Sequence, residues 1–123
     1  MKVLVINDEP TFRMIVDTVL RRQGYEVLRA DTGKNGLAVY RREHPHVVVF
    51  DLTIPERDGV AILHQIRHMN AEQSVIVLAG DRSPEPEREV RALGVSEWIV
   101  KGPSLHSLID TLTCLLASRS HAA

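Results

Sequence analysis

The chain has 123 residues, 44% hydrophobic and 25% charged, with 15 basic against 16 acidic side chains for a net charge of −1. That length fits one domain with a core of its own, and the even charge balance excludes the basic stripe of a general nucleic-acid or membrane-surface binder. The single cysteine, Cys114, excludes an internal disulfide and suits a reducing cytoplasm, and no apolar run has the length of a signal peptide or a membrane span.

Val3-Leu4-Val5-Ile6 is an unbroken apolar run and predicts a first strand buried on both faces. Residues 10–23 predict a helix, with Pro10 in its first turn, Gly24 as its stop, and Phe12, Ile15, Val16, Val19 and Leu20 on one stripe. Tyr25-Glu26-Val27-Leu28 reads as an edge strand, because Glu26 and Arg29 interleave its apolar positions. Residues 34–43 predict a second helix with Leu37, Ala38 and Tyr40 inward. Val47-Val48-Val49-Phe50 predicts a third strand, and residues 59–69 a third helix packed through Val60, Leu63 and Ile66. Val75-Ile76-Val77-Leu78 predicts a fourth strand, and Trp98-Ile99-Val100 a fifth. Between them residues 85–93 form a short charged helix carrying Val90, Ala92 and Leu93 and ending at Gly94. Residues 104–117 give the cleanest helical spacing, with Leu105, Leu108, Ile109, Leu112, Leu115 and Leu116. Cys114 lies near that stripe as a small buried hydrophobe, and 118–123 read as a frayed tail.

These are five strand-then-helix units, which predict an α/β fold over 1–123 with a parallel sheet covered on both faces and right-handed crossovers. A barrel needs eight such units, so the sheet is open and doubly wound. In such a sheet ligands sit outside the carboxyl ends of the strands. Asn7, Asp8 and Glu9 follow the first strand, Asp51, Leu52 and Thr53 the third, Ala79, Gly80 and Asp81 the fourth, and Lys101 the fifth. Carboxylates brought together repel, and a hard divalent cation such as Mg²⁺ resolves the conflict with oxygen ligands and retained waters. With the cation present a carboxylate can attack phosphorus, while a lysine neutralises charge on the transferred oxygens.

Asn7-Asp8-Glu9-Pro10, Asp51 closing its apolar run, Pro55 and Asp58-Gly59 in the next loop, and Lys101 after Trp98-Ile99-Val100 together resemble response-regulator receiver domains of the CheY-like superfamily. The resemblance covers essentially the whole chain; each piece alone is weak, and their order on the strand ends is what makes the signal. It implies a flavodoxin-like five-stranded parallel sheet in the order 2-1-3-4-5. It implies Asp51 as phosphoacceptor, Mg²⁺ held by Asp8, Asp51 and the Thr53 backbone carbonyl, and Lys101 on the phosphoryl group. Trp98 takes the aromatic position whose rotamer follows activation. The implied phosphodonor is a histidine kinase or phosphotransfer protein. Output passes to a downstream protein through the face of the fourth helix, fifth strand and last helix, in the cytoplasm, without turnover of a substrate. Whether the chain forms a homodimer, and whether it acts alone or is cut from a longer protein, stays open.

Three departures matter. Ala79 stands where the family has a hydroxyl residue, and a methyl group cannot donate the bond that pulls the following loop. Such a bond to a charged acceptor is worth about 1.5–3 kcal/mol, a sizeable share of the roughly 5.5 kcal/mol that turns a 1:99 population into 99:1. Asn7 replaces one of the usual paired acids, which lowers site charge and weakens Mg²⁺, with Glu9 a partial substitute. The usual Lys-Pro pair is Lys101-Gly102-Pro103 here, so the loop into the last helix differs.

Plainer readings stand beside these. Asp8 and Glu9 can serve as first-turn acids, Thr53 as an inert loop residue, and His64 and His68 as solvated histidines with no third metal ligand in sight. At the level of function, a phosphorylation-independent pseudo-receiver that only docks is the main alternative, favoured by Ala79 and Asn7. A small hydrolase with Asp51 as nucleophile ranks last, because Thr53 occupies the place of the second acid and there is no cap domain.

Overall fold

The β-branched runs have no polar face to present to water, so they pair side by side and are covered by helices. In the computed structural model, which describes residues 1–51, 56–79, 88, 91–94, 97–100 and 105–121, they form one sheet. Its strands are β1 (Lys2–Ile6), β2 (Glu26–Ala30), β3 (Val47–Asp51), β4 (Ser74–Ala79) and β5 (Glu97–Val100), all parallel, in the order β2-β1-β3-β4-β5. The helices described are α1 (Pro10–Arg22), α2 (Gly33–Glu43), α3 (Glu56–Met69) and, after β5, α4 (Leu105–His121). Fold class and strand order are those predicted. Of the helix expected at 85–93, Arg88, Arg91 and Ala92 have helical backbone, and Val90 lies outside the described residues.

Strand side chains alternate between two cores. Leu4, Ile6, Val48, Phe50, Val75 and Val77 pack with Leu37 and Tyr40 of α2 and Ile62, Leu63 and Ile66 of α3. Val3, Val5, Val47, Val49, Ile76 and Leu78 pack with Phe12, Val16 and Leu20 of α1 and Ile109, Leu112 and Leu116 of α4. The β2 strand, at the sheet edge, exposes Glu26 and Arg29 while burying Val27 and Ala30. It runs two residues beyond the predicted Leu28, because Ala30 still pairs with Ile6.

The helix ends follow local chemistry. Pro10 opens α1, and Gly24 beyond its end takes φ 91°, a left-handed conformation that glycine adopts without strain. Thr32 caps α2, its hydroxyl accepting the Asn35 N–H at 3.0 Å. The buried stripe of α2 is Gly33, Gly36, Leu37 and Tyr40, so Ala38, expected inward, is exposed on the far side. At Gly36 the helix comes so close to β1 that a Cβ would stand 2.5 Å from Ile6 Cδ1. Helix α3 begins at Glu56, so Asp58-Gly59, read as loop, lies in its first turn. Helical backbone in α4 continues to His121, past the predicted end at 117. Cys114, expected to be buried, is exposed, because two residues beyond Leu112 it has turned about 200° and lies on the face opposite the Ile109, Leu112 and Leu116 stripe.

At the amino edge of the sheet the Arg67 guanidinium donates to the carbonyls of Leu93 at 2.6 Å, Ala71 at 3.0 Å, Gln73 at 2.9 Å and Gly94 at 3.0 Å. It ties the end of α3 to the start of β4 and to the segment before β5. Gln73, 7% exposed, accepts from the Tyr40 hydroxyl and donates to the His46 carbonyl.

Candidate functional site

Parallel register decides which residues share the carboxyl edge. Ile6 pairs with Phe50, Asp51 with Leu78, and Ala79 with Val100, so Asn7, Asp51 and Ala79 emerge there from neighbouring strands. Asp51 is the last residue of the central strand, and its side chain is 1% exposed. The side-chain amide of Asn7 donates from Nδ2 to Asp51 Oδ2. A buried carboxylate needs such compensation, since leaving it unpaired costs several kcal/mol (roughly) in a low-dielectric interior.

Asn7 is itself fully buried. Its backbone N–H donates to the Ala30 carbonyl at 3.0 Å, which extends the β1–β2 ladder by one bond. Its Oδ1 accepts the Glu9 N–H at 2.6 Å, an Asx turn that leads the chain into α1. Its carbonyl accepts from Arg13 Nη1 at 3.1 Å.

Asp8 and Glu9 are exposed and both precede α1. Glu9 is the N-cap residue, yet its side chain makes no capping bond, so the first-turn reading finds no support in a cap contact. His64 and His68 are both exposed, and among the described residues no group of three His, Cys, Asp or Glu side chains could hold a metal. Asp51 ends β3, and Asp8 lies two residues beyond β1, the neighbouring strand, so both acids belong to the carboxyl edge of the sheet. Two carboxylates with retained waters are a donor set that would suit Mg²⁺ and would not make an all-protein cage.

Ala79 is 3% exposed at the end of β4 and offers no hydroxyl. Trp98 is half-buried against the α2–α3 core, and its indole N–H is buried with no acceptor among the described residues. Thr53, Pro55, Lys101 and the Gly102-Pro103 loop lie outside the described residues.

Sequence reasoning missed Arg13 and the donor role of Asn7. The signal for the second was present: Asn two residues before a helix N-cap favours an Asx turn, which commits Oδ1 and leaves Nδ2 to point elsewhere. Arg13 and Arg29 also line an open cleft of about 360 Å³ with Ala30, Asp31 and Asn35. The Asn35 amide bonded to Asp31 holds that carboxyl below its ordinary range.

Comparison with known proteins agrees with this fold. The family model of the response regulator receiver domain matches residues 3–113. BvgA of Bordetella pertussis is 29% identical over 121 residues, covering 98% of this chain and 58% of its own length. The ycf27 protein of Pyropia yezoensis is 41% identical over 100 residues, covering 81% of this chain and 41% of its own. The chain thus spans about half the length of the curated relatives it matches. Among solved structures, the chemotaxis protein CheY4 of Vibrio cholerae superposes with a TM-score of 0.78 at 29% identity, covering 91% of this chain and 95% of that one. A CheY-like receiver domain protein of Methanospirillum hungatei reaches 0.83 at 22% identity, covering 99% and 98%, and speaks for the fold alone. Matched over nearly its whole length, and folded in the same strand order, the chain belongs to the response regulator receiver domain family.

Proposed function

We propose that this chain accepts a phosphoryl group on Asp51 in the presence of Mg²⁺ and passes the change on through protein contacts. One observation carries the reading: a carboxylate 1% exposed ends a strand of otherwise apolar buried residues, with a neighbouring amide aimed at it. Stability gives no reason for an acid there, because an apolar side chain would avoid its desolvation cost. Receiver domains are signalling modules that work with histidine kinases or phosphotransfer proteins, and members of the family are in general phosphorylated on an aspartate with Mg²⁺ bound.

In this reading an oxygen of Asp51 attacks phosphorus, the donor's bond to phosphorus breaks, and the leaving group keeps the bonding electron pair. Asp8, Asp51 and the Thr53 carbonyl would hold the cation, and Lys101 would contact the transferred phosphoryl oxygens. When bound, Mg²⁺ supplies neutralisation of the charge that gathers between carboxylate and phosphoryl group. The donor is a histidine kinase or phosphotransfer protein, and the recipient of the signal a downstream protein. The relatives named as transcriptional regulators support a signalling output of this kind.

The test is incubation with acetyl phosphate and Mg²⁺ followed by intact-mass measurement. One added phosphoryl group on the parent chain and none on Asp51→Asn is expected; no addition to the parent rejects the proposal. Buried Ala79 favours a second reading, a docking module indifferent to phosphorylation. That reading expects Asp51→Asn to keep full affinity for its partner.

A further inference from the structure

Asn7 is the residue that the family resemblance treats only as a missing acid. We infer that Asn7 is a positioning residue whose amide competes with Mg²⁺ for one oxygen of Asp51 and so sets the cation requirement of the site. The inference rests on Asp51 being the phosphoryl acceptor.

The orientation of the amide is dictated by its surroundings. Oδ1 accepts the Glu9 N–H at 2.6 Å, and Nδ2 donates to Asp51 Oδ2. Turning the amide over would set Oδ1 against a carboxylate oxygen and Nδ2 against an N–H, two repulsive contacts in place of two bonds. The main chain cannot slide to relieve this, because the Asn7 N–H is bonded to Ala30 and its carbonyl to Arg13 Nη1. The donor therefore faces Asp51 by construction, starting from the Asx turn into α1.

An ionised acid at position 7 would repel Asp51 and draw a cation in. An amide does the reverse: it approaches Asp51 Oδ2 with positive hydrogen, the same kind of interaction a metal would supply. A cation using Oδ2 must share that oxygen's charge with the amide or displace it. Asn7 is 0% exposed, so water does not readily re-pair the released amide. The carboxylate keeps its position without a cation, and the cation binds more weakly than it would to an uncompensated acid.

The experiment is a Mg²⁺ titration of the 123-residue chain without phosphodonor, followed by NMR of the Asn7 side-chain amide and the Glu9 N–H. One Asn7 amide proton is expected well downfield of its partner at zero Mg²⁺ and moves upfield as Mg²⁺ saturates, while the Glu9 N–H stays nearly still. Asn7→Ala is expected to tighten Mg²⁺ at least about tenfold, the worth of one bond to a charged group at about 1.5 kcal/mol, with roughly 1.4 kcal/mol per tenfold. A merely structural asparagine leaves Mg²⁺ affinity unchanged, and one that ligates through Oδ1 makes Asn7→Ala weaken it; either result overturns the inference. So does an Asn7 amide that does not respond at saturation, or the absence of any saturable Mg²⁺ response. Should Asn7→Ala fail to fold, Asn7→Ser keeps an acceptor for the Glu9 N–H without reaching Asp51, and the same tightening is expected. No phosphodonor is present, so these outcomes are separate from a failure of Asp51 to be phosphorylated.

Discussion

Replacing Gly36 with alanine sets helix propensity against space. Gly36 lies inside α2, where alanine is favoured over glycine by about 0.8–1.0 kcal/mol. Against that, the new Cβ would stand 2.5 Å from Ile6 Cδ1, 2.8 Å from Cγ1 and 3.2 Å from Cγ2. Those atoms belong to both branches of a β-branched side chain with little χ1 freedom, and Ile6 is 0% exposed, so no single rotation clears them. Overpacking of this kind costs about 1–3 kcal/mol, which leaves a net loss of about 0–2 kcal/mol. Urea unfolding followed by Trp98 fluorescence reads the change as a lower midpoint at unchanged slope. In an Ile6→Ala background all three contacts vanish, and Gly36→Ala should become neutral or stabilising, a coupling of at least about 1 kcal/mol. If Gly36→Ala stabilises the parent, or has the same effect in both backgrounds, the close approach of α2 to β1 is not what requires glycine.

Three further outcomes follow from the same structure. Arg67→Lys loses the fork that reaches Leu93, Ala71, Gln73 and Gly94, and a drop of about 2 kcal/mol in unfolding free energy is expected; a drop under about 0.5 kcal/mol would show the clamp to be energetically idle. Burial raises the Tyr40 hydroxyl above its ordinary 10.0. The folded state thus holds this proton more tightly, so the contribution is complete below pH 10.0 and is lost as pH rises from there through the raised value. Unfolding midpoints of the parent and Tyr40→Phe should converge in that alkaline window, and a constant gap would contradict it. Ala79→Thr restores a hydroxyl at a buried strand end and should enlarge the Trp98 fluorescence change on phosphorylation; an unaltered change would reject Ala79 as the weak link.

The strands and their order were readable because a parallel sheet covered on both faces admits almost nothing but apolar residues, and Val47 to Phe50 are all 2% exposed or less. Helix faces were less readable. Ala38 sits one position beyond Leu37 and thus 100° around the helix (about, at 3.6 residues per turn), and composition alone does not tell a small surface residue from a small core one. Cys114, two positions beyond Leu112, stands about 200° around the helix from it and so on the far side from the Leu112 and Leu116 stripe. For the site, strand ends placed Asn7 and Asp51 on one edge, but counting charge treats Asn7 as an acid removed. Hydrogen-bond direction is what makes it a donor to Asp51, and that depends on the turn into α1. Arg67 and Gln73 gave no sequence signal, since a polar residue near a helix end looks alike whether it faces water or a row of carbonyls.

The charged positions of β2 have a meaning for solubility. A sheet margin carries backbone groups able to recruit a further strand from another molecule, and proteins commonly block such templating with charge. Glu26 and Arg29 project from this margin, and Arg29 Nη1 lies 4.0 Å from Asp17 on α1. They act as gatekeepers: exchanging both for valine would leave a continuous sticky ribbon beside β1, and the protein would be lost to fibrous or amorphous precipitate before its core stability was spent.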